Sequence, residues 1–422
     1  MQDTIFALSS GVPPAGIAVI RISGPGAAGA LEALVGDLPE PRLASLRTLR
    51  DRDGHTLDEA LVLWFPAPRT VTGENVAELH CHGGRAVVAA VMAELATLAD
   101  LREAEAGEFT RRAFANGRID LAEAEGLGDL LAAETEWQRR GAMSAAGGAL
   151  SRRIEEWRTL LLGLSAQVEA AIDFSDEDDV EVLPIEFVDE LSTLRAGIDS
   201  VLSRPSADRL RDGVRIVFAG PPNAGKSSLF NALLDEGAAI VSPVAGTTRD
   251  VIERPVAIGG VPFVFIDTAG LRQEGAGEIE AIGIDRAHRE LETADIVLWL
   301  GPPADCPAGA IQIAPKADLT NAGNEGHAVS AVTGSGLDDL VRMLVDRAKE
   351  LLPPPDRIAL NRRQKELAAN CREHLAAAGR MSDSLVIAEE LRLARVALDS
   401  MSGRNSTEHM LDALFGRFCI GK

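Results

Sequence analysis

Over about the first 115 residues the apolar positions come in short runs, such as 16–22 (GIAVIRI) and 61–65 (LVLWF), separated by Pro and Gly turns. Runs of that length bounded by turn residues predict strands, and the region reads as mixed α/β. From about 121 to 203 the texture changes: glycine thins out, and Leu, Ala, Glu and Arg recur at helical spacing, as in 154–172. At 215–220 (RIVFAG) a strand–loop–helix alternation opens and lasts to about 348, the pattern of a parallel sheet wrapped by helices. Pro353, Pro354 and Pro355 close it, and helical texture returns over 361–415. The helices on either side are expected to pack together, with the α/β block looped out between them. Such an insertion costs little closure entropy when its ends sit close together. The division predicted is an N-terminal domain over 1–117, a helical domain in two parts over 118–210 and 351–422, and an inserted α/β domain over 211–350.

Composition narrows this picture. The 422 residues, 46% of them hydrophobic, suffice for two or three ordinary cores. No apolar stretch reaches the roughly 18 residues that cross a bilayer, and no basic segment followed by an apolar one opens the chain, so a soluble, cytoplasmic protein with no membrane role is expected. The four cysteines (Cys81, Cys306, Cys371 and Cys419) show no CxxC spacing and indicate neither a disulfide framework nor a zinc cage. The net charge of −22 makes a poor nucleic-acid binder, so a nucleic-acid target requires a basic partner or a local patch. The acidic run 173–181 (DFSDEDDVE) reads as a solvated loop with some capacity for a cation. His80 and His82, two apart on one strand face, have a spacing that permits a metal, but no third ligand is in view.

The α/β block carries the chemistry. Gly220-Pro-Pro-Asn223-Ala224-Gly225-Lys226-Ser227 fits GxxxxGK[ST] between a β-rich run and the helix-forming 229–234, and Ser228 follows it. Glycines let backbone N–H groups face phosphates, a helix N-terminus adds its dipole, Lys226 neutralises β/γ charge and the Ser227 hydroxyl can ligate Mg²⁺. Asp267-Thr268-Ala269-Gly270 ends the strand-like VPFVFID, where an Asp can hold the Mg²⁺ shell and a Gly N–H can sense the γ-phosphate. Gly246-Thr247-Thr248-Arg249-Asp250 supplies hydroxyls in a loop that can complete the Mg²⁺ shell with GTP bound. Lys316-Ala317-Asp318 follows strand-like residues, with an Asp able to take both guanine N–H donors, and Ser330-Ala331 is expected to end the next strand. Five motifs in this order predict a guanine-nucleotide site.

Two positions depart from the common pattern. Pro315 stands where a guanine motif usually begins with Asn, and it offers no side-chain amide. Leu271 stands where small signalling GTPases place a water-orienting glutamine. Asn223 is therefore a candidate ligand for a monovalent cation, and Glu280, beyond Gly275–Gly277, a carboxylate able to orient water through an intermediary.

Motifs elsewhere carry a resemblance over nearly the whole chain. They are Pro-Pro before AGIAVIR21ISG, Thr72-Gly-Glu-Asn-Val-Ala-Glu78-Leu-His-Cys-His-Gly-Gly, Gly107-Glu-Phe-Thr-Arg-Arg-Ala-Phe-Ala-Asn116-Gly-Arg118, GPPNAGKSS, AGTTRD, DTAGLR and the terminal Phe418-Cys419-Ile420-Gly421-Lys422. Together they resemble the MnmE (TrmE) family of tRNA-modification GTPases. The resemblance implies an N-terminal α+β domain that dimerises and binds a tetrahydrofolate one-carbon donor (5,10-methylene or 5-formyl), a split helical domain, and a potassium-activated, Ras-like G domain. It implies a homodimer that works with an FAD-containing partner, MnmG, and binds tRNA through that complex. The product would be a carboxymethylaminomethyl or aminomethyl group at C5 of the wobble uridine. By the same resemblance Arg21, Glu78, Arg118 and Lys422 fall on folate positions. Asn223, Ser242, Val244 and Thr247 fall on the potassium site, Ser227 and Thr248 on magnesium, and Glu280 on the catalytic glutamate; Pro243 and Ala245 complete the GTP-binding loop. Cys419 is read either as a free thiol near the folate pocket, available to catalysis, or as a buried small residue. Besides Pro315, the sequence departs from the family in having Val71 where an aromatic commonly precedes the TGE motif, and in a short segment before Lys316. The competing expectation is a ribosome-assembly or signalling switch.

Overall fold

In the computed structural model the described residues are 3–173, 183–239, 252–267, 290–319, 326–405 and 407–422. They form two compact units, one made of Met1–Gly128 with Ser402–Lys422, the other of Asp129–Met401. The expected mixture of α/β and helical parts is present in both the sheets and the helix pairs described below.

In the first unit six strands are ordered β3-β4-β5-β2-β1-β6. These are β1 (Thr4–Leu8), β2 (Ile17–Ser23), β3 (Ser45–Arg50), β4 (Thr56–Phe65), β5 (Val76–His82) and β6 (Leu101–Glu103). Successive side chains of a strand face opposite ways, so Ala18, Ile20 and Ile22 of β2 and Ala77, Leu79 and Cys81 of β5 are buried on one face. Helices Ala27–Val35 and Arg85–Ala96 cover that face with Leu31, Leu34, Val91 and Leu95. The opposite face presents Val19, Arg21, Glu78 and His80. The last 21 residues complete this unit. Helix Glu408–Phe415 lies against helix Glu108–Ala115, and the tail continues to a bridge between Ala106 and Ile420. Gly421 has φ +93°, and a Cβ there would lie 2.2 Å from the Leu8 carbonyl oxygen, so only glycine fits.

In the second unit a seven-stranded sheet runs β13-β12-β11-β7-β10-β9-β8. Its strands are β7 (Val214–Ala219), β8 (Ala238–Ala239), β9 (Ile252–Ile258), β10 (Val261–Asp267), β11 (Ile296–Trp299), β12 (Ile311–Ala314) and β13 (His327–Ala328). All neighbours are parallel except β10–β9 and β9–β8. The central strands are apolar on both faces, as parallel strands covered by helices must be. Around the sheet in sequence stand four long helices: Ala149–Asp173, Ile185–Leu202, Arg362–Ala378 and Ser384–Met401. Along the first of them Ile154, Trp157, Leu161, Leu164 and Val168 are buried, the three-and-four spacing of one helix face. The chain leaves these helices and returns to them side by side. Leu360 O accepts from Ala207 N (3.0 Å) and Ser206 Oγ (3.2 Å), Arg362 N donates to Asp208 Oδ2 (2.7 Å), and Arg204 Nη1 donates to Ile358 O (2.9 Å).

One buried charge organises the first unit. Arg112, with a side chain 1% exposed, pairs with Asp3, Glu74 and Glu108, and Glu108 also pairs with Arg102 at 2.5 Å. Burial works to raise the Glu108 pKa, but bonds from Arg102, the Glu105 N–H and Arg112 outweigh it and hold the carboxyl below its ordinary 4.5. A carboxyl lowered in this way contributes stability that is complete above about pH 4.5 and is lost as pH falls through the folded value. Thermal midpoints measured by calorimetry from about pH 6 down to about pH 3 are therefore expected to fall more steeply for the native chain than for Glu108→Gln. Parallel curves would show that the cluster adds nothing.

Candidate functional site

The described nucleotide-site residues gather at the C-terminal ends of the parallel strands, where open α/β sheets bind ligands. From β7 the chain turns through Gly220 (φ +142°), where a Cβ would lie 3.0 Å from the Leu300 carbonyl carbon of the neighbouring strand end. Asn223 adopts the left-handed region (φ +59°), as does Gly225 (φ +101°), and helix Lys226–Glu236 starts directly after. The loop thus curls around its own backbone. Lys226 is buried, and its ammonium donates to the carbonyls of Gly220 and Pro221, both at 2.9 Å. The Ser227 hydroxyl donates to Asp267 Oδ2 at 2.8 Å, which joins the loop to the end of β10. A hydroxyl beside a carboxylate is an oxygen donor set that suits a hard divalent cation such as Mg²⁺.

The guanine-side residues follow β12 and β13. Lys316, left-handed at φ +59°, reaches back so that its Nζ donates to Asn223 O at 3.2 Å. Asp318 is exposed, and Ser330 Oγ donates to its Oδ1 at 2.6 Å, holding the carboxylate at one oxygen. β13 ends at Ala328, two residues before the Ser330-Ala331 expected to end it, although Val329 N still bonds to Ala314 O (3.0 Å). β12 has four residues, and proline, without an N–H, ends it. A Cβ on Gly225 would meet Pro315 Cβ at 3.6 Å, so the proline packs against the P-loop where an amide would hydrogen-bond. Ser242, Pro243, Val244, Ala245, Gly246, Thr247, Thr248, Thr268, Ala269, Gly270, Leu271 and Glu280 lie outside the described residues.

The second group lies in the first unit. Arg21 and Glu78 are cross-strand partners of β2 and β5, and Arg21 Nε and Nη2 donate to Glu78 Oε1 at 3.0 and 2.8 Å. The guanidinium sits 5.8 Å from the Phe109 ring centroid, a cation–π contact. His80 Nε2 is 3.3 Å from Glu78 Oε2, while His82 Nδ1 is 2.7 Å from Asp58 Oδ1. The histidines thus serve two different carboxylates, and among the described residues neither joins a three-ligand group. Arg118 is exposed and its Nε donates to Thr70 O at 3.0 Å. Ser9 Oγ donates to Gly421 O (2.8 Å), which fixes the tail one residue before Lys422. Cys419 is exposed, which removes the reading of it as a buried small residue. Cys81 and Cys371 are the buried thiols, both pushed up to about 12 by burial, with the Asp58 charge adding at Cys81. Glu74 and Arg112 stand in two of the quoted motifs with no site role assigned to them, because the sequence does not distinguish a buried charged residue from a solvated one.

Residues 4–118 match the family described as GTP-binding protein TrmE N-terminus, and 121–419 match the MnmE helical domain. The tRNA modification GTPase MnmE of Erythrobacter litoralis is 60% identical over 424 residues, covering 100% of each chain. That of Novosphingobium aromaticivorans is 56% identical over 437 residues, again covering both in full. Among solved structures, the G domain of the T. maritima FeoB iron transporter covers 32% of this chain and 98% of its own at 23% identity and TM-score 0.24, too slight a likeness to argue from. With a family model over 121–419 and relatives matched from end to end, the chain belongs to the MnmE (TrmE) family, the tRNA modification GTPases.

Proposed function

We propose that this chain is a potassium-activated GTP hydrolase which, with the FAD-dependent partner MnmG, builds the carboxymethylaminomethyl or aminomethyl group on C5 of the tRNA wobble uridine from a tetrahydrofolate one-carbon donor. The observation that carries the GTPase part is the Ser227–Asp267 bond at the head of the P-loop helix, with Lys226 held at 2.9 Å over the loop carbonyls. Mg²⁺ and K⁺ supply charge at the phosphates when bound. Ser227 and Thr248 would hold the first, and Asn223, Ser242, Val244 and Thr247 would hold the second. Glu280 orients the attacking water, since Leu271 has no group able to do so.

The division is proposed as 1–117 for folate and dimerisation, 118–210 with 351–422 for the helical domain, and 211–350 for the G domain. Arg21, Arg118 and Lys422 meet the carboxylates of a folate tail while Glu78 takes the pterin edge. Cys419, exposed on the tail, is a candidate for the chemical step. The open sheet face supports a homodimer. Leu46, Leu61, His80 and Val19 form one cross-strand row, and Leu46, Leu61 and nearby Ile17 are 68%, 40% and 61% exposed. With a net charge of −22 the chain leaves the grip on tRNA to its partner.

GTP turnover is expected to be faster in potassium than in sodium at matched ionic strength, and equal rates would overturn the cation assignment. Glu280→Ala is expected to keep GTP binding while slowing phosphate release by about tenfold or more, the factor that about 1.36 kcal/mol of transition-state stabilisation represents. Pro315→Asn restores one hydrogen-bonding amide, so titration with labelled GTP is expected to show affinity rising about three- to tenfold; no change would mean that the loop already compensates. Removal of residues 420–422 is expected to weaken folate binding and to abolish the modified nucleoside in tRNA digests while GTP hydrolysis persists. Loss of GTP hydrolysis in that variant would assign the tail to the fold instead.

A further inference from the structure

We infer that Arg112 and Glu74 are positioning residues for the second site, acting through the loop 70–75 to aim the Arg118 guanidinium at an anionic ligand. This rests on the folate reading of Arg118. A guanidinium that is 1% exposed has given up its water, a cost that only fully satisfied donors and paired charge offset. Every Arg112 nitrogen is engaged. Nε donates to Glu108 Oε1 (3.3 Å), Nη2 to Glu108 Oε1 (3.0 Å) and Asp3 Oδ1 (3.1 Å), and Nη1 to Asp3 O (2.9 Å) and both oxygens of Glu74 (3.3 and 3.2 Å). A planar fork bound on all sides fixes direction as well as distance, which an apolar side chain of the same volume would not.

The network ends on the loop. Glu74 Oε2 accepts from Ser23 Oγ (2.8 Å), and that hydroxyl also pairs with Thr72 Oγ1 (2.7 Å). Thr70 Oγ1 donates to Glu74 O (2.6 Å), Asn116 Nδ2 donates to Thr72 O (2.7 Å), and Thr70 O accepts from Arg118 Nε. Gly73 presses from the side, since a Cβ there would lie 2.9 Å from Asn116 Cβ and 3.2 Å from Arg118 Cγ. Where the loop sits therefore sets where Arg118 sits. With Nε tied to the loop, Nη1 and Nη2 of this exposed side chain carry no hydrogen bond among the described residues. Ser23 is two residues along β2 from Arg21.

The test is a double-mutant cycle in the full chain, with 5-formyltetrahydrofolate titrated calorimetrically and thermal midpoints measured alongside. Arg118→Ala and Glu74→Gln are each expected to weaken binding about tenfold, and the double variant no more than either alone, because residues acting in series are not additive. Normal binding by Glu74→Gln beside weakened binding by Arg118→Ala would overturn the positioning role and leave the folate reading standing. Additive losses would also overturn it, since they describe general loosening. Unchanged binding by Arg118→Ala would instead remove the folate reading at that residue, and the positioning role with it. If Glu74→Gln fails to fold, Asn116→Ala serves in its place: it cuts the Thr72 tether from an exposed position and carries the same expectation of non-additivity.

Discussion

A sheet set between two pairs of helices in one chain has to leave and re-enter the helices at nearly the same point. That constraint shapes the second unit. The outgoing segment 204–208 and the returning segment 358–362 are joined by four hydrogen bonds, two of them on the Leu360 carbonyl. With the ends held, about 150 intervening residues cost the helices little beyond a short closure. Pro353, Pro354 and Pro355 stand just before the return, where rigid φ limits the paths the chain can take.

Inside that insert the nucleotide residues depend on strand order. β7 lies between β10 and β11, so the loop leaving β7 faces Asp267 at one neighbour's end and Gly301 at the other's. Parallel strands bring their C-terminal ends to one edge, and residues forty or ninety positions apart become neighbours there. Lys316 on Asn223 is the longer of these links, and its left-handed backbone is what turns the side chain back to the loop. Pro315 changes this corner modestly: its ring fills the space beside Gly225 and offers no hydrogen bond.

The first unit follows a different logic. Its sheet spends one face on an apolar core and leaves charge on the other, where Arg21, Glu78 and His80 stand in sequence-distant registry. The strand alternation in VAELHCH makes this legible, since Ala77, Leu79 and Cys81 must share one side and Glu78 and His80 the other. The pairing of Arg21 with Glu78 is not legible, because it needs the β2–β5 register, and a slip of one residue would send both to opposite faces. The Arg112 cluster is further from view. Its members come from positions 3, 74, 102, 108 and 112, and nothing in their local sequence separates a buried arginine from the solvated one beside it.

The sequence by itself determined the class of each segment, the P-loop and its accompanying motifs, and the family likeness, because periodicity, turn residues and short motifs are local properties. It located β7 and the helix after Gly225 to within a few residues, and marked 121–203 and 361–415 as helical without dividing them into the separate helices the structure has. It missed the early end of β13, where a two-residue edge strand pairs only with β12. Tertiary structure alone decided that the terminal Ile420–Lys422 complete the unit that begins at Met1, through a bridge to Ala106 and a bond from Ser9. It alone decided that Cys419 is exposed while Cys81 and Cys371 are buried. Burial and long-range pairing belong to the packed chain, and no window of neighbouring residues contains them.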